Sequence, residues 1–99
     1  MAFLGASFDA HLGAACGDDL ALLLELRKAF VEAASRQLDL LRRARCDANW
    51  HVAAGKLASL AASFHDEALM ELAEEAVDGA PGDPVVLRRI DAHLTATGD

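Results

Sequence analysis

The sequence predicts an all-α domain, and three observations carry that reading. Its 22 alanines and 16 leucines supply 38 of 99 residues, whereas valine, isoleucine and threonine together supply 8, a ratio that favours helix over sheet. Apolar residues recur at steps of three and four along most of the chain, the spacing of one helix face. Turn-forming clusters fall at Gly17-Asp18-Asp19, Cys46-Asp47-Ala48-Asn49, His65-Asp66 and Gly79-Ala80-Pro81-Gly82-Asp83-Pro84, leaving helix-length segments between them. A chain of 99 residues has room for one core, so residues 1–99 form a single domain.

The elements follow in order. A short helix is expected from about Ser7 to Ala15, with Ser7 as a cap and Phe8, Leu12 and Ala15 on one face. Asp18 can cap a long second helix reaching about Arg45. Leu23, Leu26, Phe30, Ala33, Ala34, Leu41 and Ala44 form its apolar stripe, interrupted by Gln37. Its other side carries Glu32 with Arg36, and Asp39 with Arg42 and Arg43, spaced for a solvated face. Leu22 and Leu24 flank the stripe as walls of the core or part of an interface.

Asp66 caps the fourth helix, whose stripe is Leu69, Leu72, Ala73, Ala76 and Val77, and Gly79 ends it. Glu71, Glu74, Glu75 and Asp78 make its solvated acidic face. Asp83-Pro84 is a cap followed by proline at the first helical position, the strongest start signal in the chain. Leu87, Ile90 and Leu94 are the stripe of the fifth helix. Four such stripes joined by short turns predict an up-down four-helix bundle with a short extra N-terminal helix.

The third helix, from about Asn49 to Phe64, differs from its neighbours. Trp50, Ala53, Ala54, Leu57, Leu60, Ala61 and Phe64 all fall within roughly 60° of Leu57 at 100° per residue, which assigns Trp50 to the core. Gly55 and Ser59 then lie nearly opposite, flanked by His51, Val52, Ala62 and Ser63, with Lys56 at the edge as the segment's one cation. A solvent face normally carries Glu, Lys and Arg, and this one is nearly bare. Glycine inside a helix costs about 0.8–1 kcal/mol relative to alanine, so Gly55 does not serve the helix itself. The bare face is either an undemanding surface or a place where another protein's backbone comes close.

Composition narrows the partner. Nine basic against 16 acidic side chains give a net charge of −7, which excludes nucleic acid and anionic membrane as main partners, since both need a basic face. No stretch is long and apolar enough to span a bilayer. No Lys or Arg precedes Arg27, so the positive region of a secretory signal is missing, and a soluble, cytoplasmic protein is expected. Cys16 and Cys46 lie 30 apart without a ligand pattern, which predicts two free thiols and no metal. His11 and His93 have only Asp9 and Asp91 nearby in sequence, no metal-ligand spacing. Phosphate loops, nucleophile elbows and calcium loops are absent from the sequence.

The run Ala53-Ala54-Gly55-Lys56-Leu57-Ala58-Ser59-Leu60-Ala61-Ala62-Ser63-Phe64-His65 resembles the signature helix of histidine-containing phosphotransfer (HPt) domains of bacterial phosphorelays. That signature reads Ala-His-any-Leu-Lys (or Ala)-Gly, then small residues, then Phe-Gly. Ala54, Lys56, Leu57, Ala58, Ala61 and Phe64 match it. Gly17-Asp18-Asp19-Leu20 opening a long helix that contains Phe30, and an acidic leucine-rich helix after the signature, also resemble the family. The resemblance extends from about Phe8 to Leu94.

The departures fall on the chemistry. Gly55 stands where the family has its phosphoaccepting histidine, Ser59 where it has a glycine, and His65 where it has a second glycine. Phosphoryl transfer needs an imidazole nitrogen in line with the donor, and glycine offers no nucleophile. His51 lies one turn earlier and about 40° around the helix, roughly 6 Å from the family position, too far for in-line transfer without a shifted pose. His65 is expected as a turn residue.

The resemblance therefore implies a monomeric, cofactor-free pseudo-HPt protein, not an enzyme. It would bind a receiver domain or histidine kinase through His51, Val52, Gly55, Lys56, Ser59, Ala62 and Ser63. The alternatives are an active phosphotransfer protein using His51 and a helical interaction module outside phosphorelay signalling.

Overall fold

The computed structural model describes residues 6–17 and 19–98; for residues 6–9 and 11 it describes the backbone alone. Asp18 and the side chains of Ser7, Phe8 and His11 thus lie outside the described residues. These residues form five helices and, among the described residues, no strand: α1 (Ala6–Cys16), α2 (Leu20–Arg43), α3 (Asp47–Ser63), α4 (Glu67–Val77) and α5 (Pro84–Gly98). None of them is long and apolar enough to cross a membrane.

The starts are set by aspartates. Asp19 caps α2, its carboxylate accepting the Leu22 N–H at 3.0 Å, so the cap expected at Asp18 falls one residue later. Asp66 caps α4 by accepting from Leu69 N–H, and Asp83 accepts from Val85 N–H ahead of Pro84, each satisfying an orphan donor of the first turn. Several predicted ends shift. Ser7 lies inside α1 and does not precede it, α2 stops at Arg43 two residues before Arg45, and α3 opens at Asp47 two residues before Asn49. α4 ends as expected, at Val77 with Asp78 as its C-cap and Gly79 directly after it, the Gly79 N–H donating to Ala76 O at 3.0 Å.

α3 packs against α2 and α4, α5 against α2 and α4, and α1 against α2. The shared core holds Phe30, Leu41, Trp50, Leu57, Leu69 and Ile90, all fully buried. Leu23, Leu26 and Ala33 of the predicted α2 stripe are only half-buried, while Leu38, outside that stripe, is 2% exposed. The first buried residue of α2 is Phe30. At 1.5 Å per residue its 24 residues run about 36 Å; in its first turns Leu23 and Leu26 pack against the edge of the core, while Leu20, Leu22 and Leu24 are exposed.

Surface ion pairs stitch α5 to its neighbours: Arg42 to Asp91 at 3.3 Å and Arg89 to Glu75 at 2.8 Å. All four side chains are about half exposed, so each pair contributes at most about 1 kcal/mol.

Candidate functional site: the outer face of α3 and its flanking groove

The rotation of α3 is fixed by its core side. Trp50 is fully buried, and its indole N–H donates to the Ala76 carbonyl of α4 at 2.6 Å, satisfying the one polar atom the ring brings into the core. Ala53, Ala54 and Ala61 are buried as well, and their small size lets α2 and α4 approach closely. Phe64 reaches back to Phe30, ring centroids 4.9 Å apart. With that side locked inward, the opposite side is obliged to face out.

His51, Val52, Lys56, Ser59, Ala62 and Ser63 are all exposed, and Val52 retains 56% of its surface. Gly55 is half-buried, yet a Cβ placed on it would meet nothing within 4 Å. Neither packing nor backbone conformation demands glycine there. The Ser63 hydroxyl donates to the Ser59 carbonyl at 3.0 Å, so it is turned onto its own helix. The structure thus brings all seven of the sequence-predicted contact residues onto one helix surface, with no side chain at Gly55 and the Ser59 hydroxyl one turn on.

Beside this face lies a groove of about 400 Å³ between α2 and α3. Ala44 and Ala53, 6% and 4% exposed, are its floor; two alanines at the seam leave a depression that larger residues would fill. Leu40 and Val52, 45% and 56% exposed, are opposing apolar walls. Gln37, Arg43, Asn49 and Lys56 border it; the Gln37 Oε1 is itself shut off from solvent and accepts no hydrogen bond. Sequence reasoning found Val52 and Lys56 but not the α2 wall. The available signal was Leu40, an apolar residue on the charged side of α2.

A second polar constellation sits at the far end of α3. The sequence paired His93 only with Asp91; in the structure its Nε2 is 2.8 Å from the Asp66 Oδ2, across 27 residues. The Asp66 side chain is fully buried and His93 is 14% exposed, while the Thr97 hydroxyl donates to the His93 carbonyl at 2.8 Å. Asp66 Oδ1 is already committed to the α4 cap, so the carboxylate bridges the α3–α4 turn and α5. This pair is a clasp between elements.

Cys16 is buried, Cys46 exposed, and both are free thiols. Among the described residues no cluster of three His, Cys, Asp or Glu side chains gathers as a metal ion requires. Comparison with protein-family models, curated proteins and solved structures found no match for the chain.

Proposed function

We propose that this chain is an HPt-like domain, its α2–α5 forming an up-down four-helix bundle with α1 as an addition, that binds a receiver domain or histidine kinase in the cytoplasm without relaying phosphate. The observation that carries this reading is Gly55, set in open space at the centre of a bare helix surface and occupying the position where the resembled signature has its histidine. A helix face whose centre carries only Gly55, Ser59 and Ala62 lets a partner's backbone approach closely, and a glycine supplies no atom to receive a phosphoryl group. Occupancy of a receiver's active-site rim by this face would exclude true relay partners.

Gly55→Arg tests the reading. Arginine has far better helix propensity than glycine and would project into empty space, so folding stability is expected to hold or rise slightly. Affinity for the receiver or kinase is expected to fall at least tenfold, about 1.4 kcal/mol. The partners are found by incubating the chain with phosphorylated receivers and autophosphorylated kinases, scoring complex formation and acid-labile phosphate together. Phosphate accepted by the chain and lost on His51→Ala would overturn the non-relaying role, and unchanged affinity of Gly55→Arg would remove the α3 face as the interface.

A further inference from the structure

The acidic balance of the chain is not uniform. Residues 36–56 hold five of the nine basic side chains and only two of the 16 acidic ones, a local surplus of three positive charges in a chain of net −7. That segment contains both walls of the α2–α3 groove. No carboxylate lines the groove, whereas Arg43 and Lys56 both do. Arg43 pairs with Asp39 at 2.8 Å, but both side chains are more than half exposed, so the pair is weak enough for another carboxylate to compete. α3 begins there too, its Cys46 N-cap making no side-chain hydrogen bond and Asp47 placing one carboxylate in its first turn, so the positive charge at the groove is that of Arg43 and Lys56.

We propose that this groove is the seat of an acidic amphipathic helix belonging to a partner protein. The apolar walls Leu40 and Val52 would take the apolar stripe of that helix, and Arg43 and Lys56 its flanking carboxylates, the helix-in-groove mode of recognition. The volume suits a few side chains and not a whole helix, so the partner lays one face along it. The groove shares Val52 and Lys56 with the bare face, so the inference deepens the docking function proposed above and rests on it.

The test uses a synthetic helical peptide of about 15 residues with leucines on one face and glutamates flanking them, and a twin with lysine replacing every glutamate. Binding to the full chain is followed by calorimetry and by backbone amide shifts. The acidic peptide is expected to bind with shifts concentrated in residues 37–44 and 49–56, the lysine twin at least tenfold more weakly. Joint Arg43→Glu and Lys56→Glu, both on exposed side chains, should reverse that preference, and binding of the lysine twin would itself report that the variant is folded.

Equal binding of the two peptides, no binding, shifts elsewhere, or the same shifts from inorganic phosphate alone would overturn the proposal. So would self-association abolished by the charge reversals, which would assign the groove to a second copy of the chain. No receiver or kinase is needed in this experiment, so the two readings fail separately. Receivers that bind in a Gly55-dependent way beside a silent peptide would remove only the groove, and a bound peptide with no receiver or kinase bound would remove the phosphorelay role.

Discussion

At its C-terminal end α3 passes into α4 through a turn whose polar groups are engaged, while at its N-terminal end it emerges from an extended Cys46 with no side-chain cap. In the closing turn His65 adopts φ 59°, its N–H donates to Ala62 O at 3.1 Å, and Asp66 N–H donates to Ala61 O at 2.9 Å. This is the paired bonding that ends many helices with a left-handed residue. Asp66 then spends one carboxylate oxygen on α4 and the other on His93. The opening end has exposed Arg45, Cys46, Asp47, Ala48 and Asn49 in succession. One end is held by side-chain bonds to α4 and α5, and the other has no capping side chain and a single carboxylate, Asp47, in its first turn.

The clasp is where this contrast breaks most visibly. Asp66→Ala removes an N-cap, about 1 kcal/mol, and strips the part-buried His93 imidazole of a charge-assisted partner, about 1.5–3 kcal/mol. A loss near 3 kcal/mol is expected, lowering Tm by roughly 12–24 °C for a domain of this size. Asp66→Asn keeps a cap acceptor and a neutral partner for His93, so it should lose distinctly less. Thermal unfolding of both variants decides the matter: equal losses would mean that the cap and the His93 contact are not separable contributions.

A smaller effect of opposite sign is expected one residue earlier. A left-handed conformation costs a residue with a Cβ about 1–2 kcal/mol, and glycine adopts it freely. His65→Gly should therefore raise stability by about 1 kcal/mol, less whatever the imidazole contributes through its own contacts, with Tm up by roughly 4–8 °C. No gain in thermal unfolding would show that the histidine side chain fully offsets its backbone strain. The glycine at this place in the resembled signature has the same physical rationale, since it is the position that closes the helix.

What was legible in the sequence was local. Helical arithmetic put Trp50 and Leu57 in the core and Gly55 and Ser59 outside it, because angle around an axis depends only on spacing. Asp66 and Asp83 were recognised as caps for the same reason, since a cap acts within three residues. The Asp66–His93 clasp was not legible, as its 27-residue separation leaves no periodic trace and Asp91 was the nearer acid. Leu38 was passed over because Gln37 broke the stripe beside it, although Leu38 is one turn after Ala34. The groove needed two helices in register: Leu40 and Val52 are unremarkable singly and become opposing walls only when Ala44 and Ala53 meet.

The smallest effect concerns the open end. Cys46 occupies the N-cap of α3 with φ −134° and ψ 161°, backbone geometry already suited to a capping side chain. Serine at that position supplies the missing acceptor with little change in volume, so Cys46→Ser is expected to stabilise the chain by about 0.5 kcal/mol, a Tm rise of roughly 2–4 °C. Cys46→Ala, which removes the thiol without adding an acceptor, should leave Tm unchanged and serves as the reference. Once a side-chain oxygen engages the first-turn N–H groups, less of their positive field reaches the groove. The serine variant should therefore bind the acidic peptide slightly more weakly than the alanine variant, with the difference shrinking as salt is raised. If serine and alanine melt together and bind alike, the donors at the start of α3 are already satisfied, and the contrast between the two ends reduces to the clasp alone.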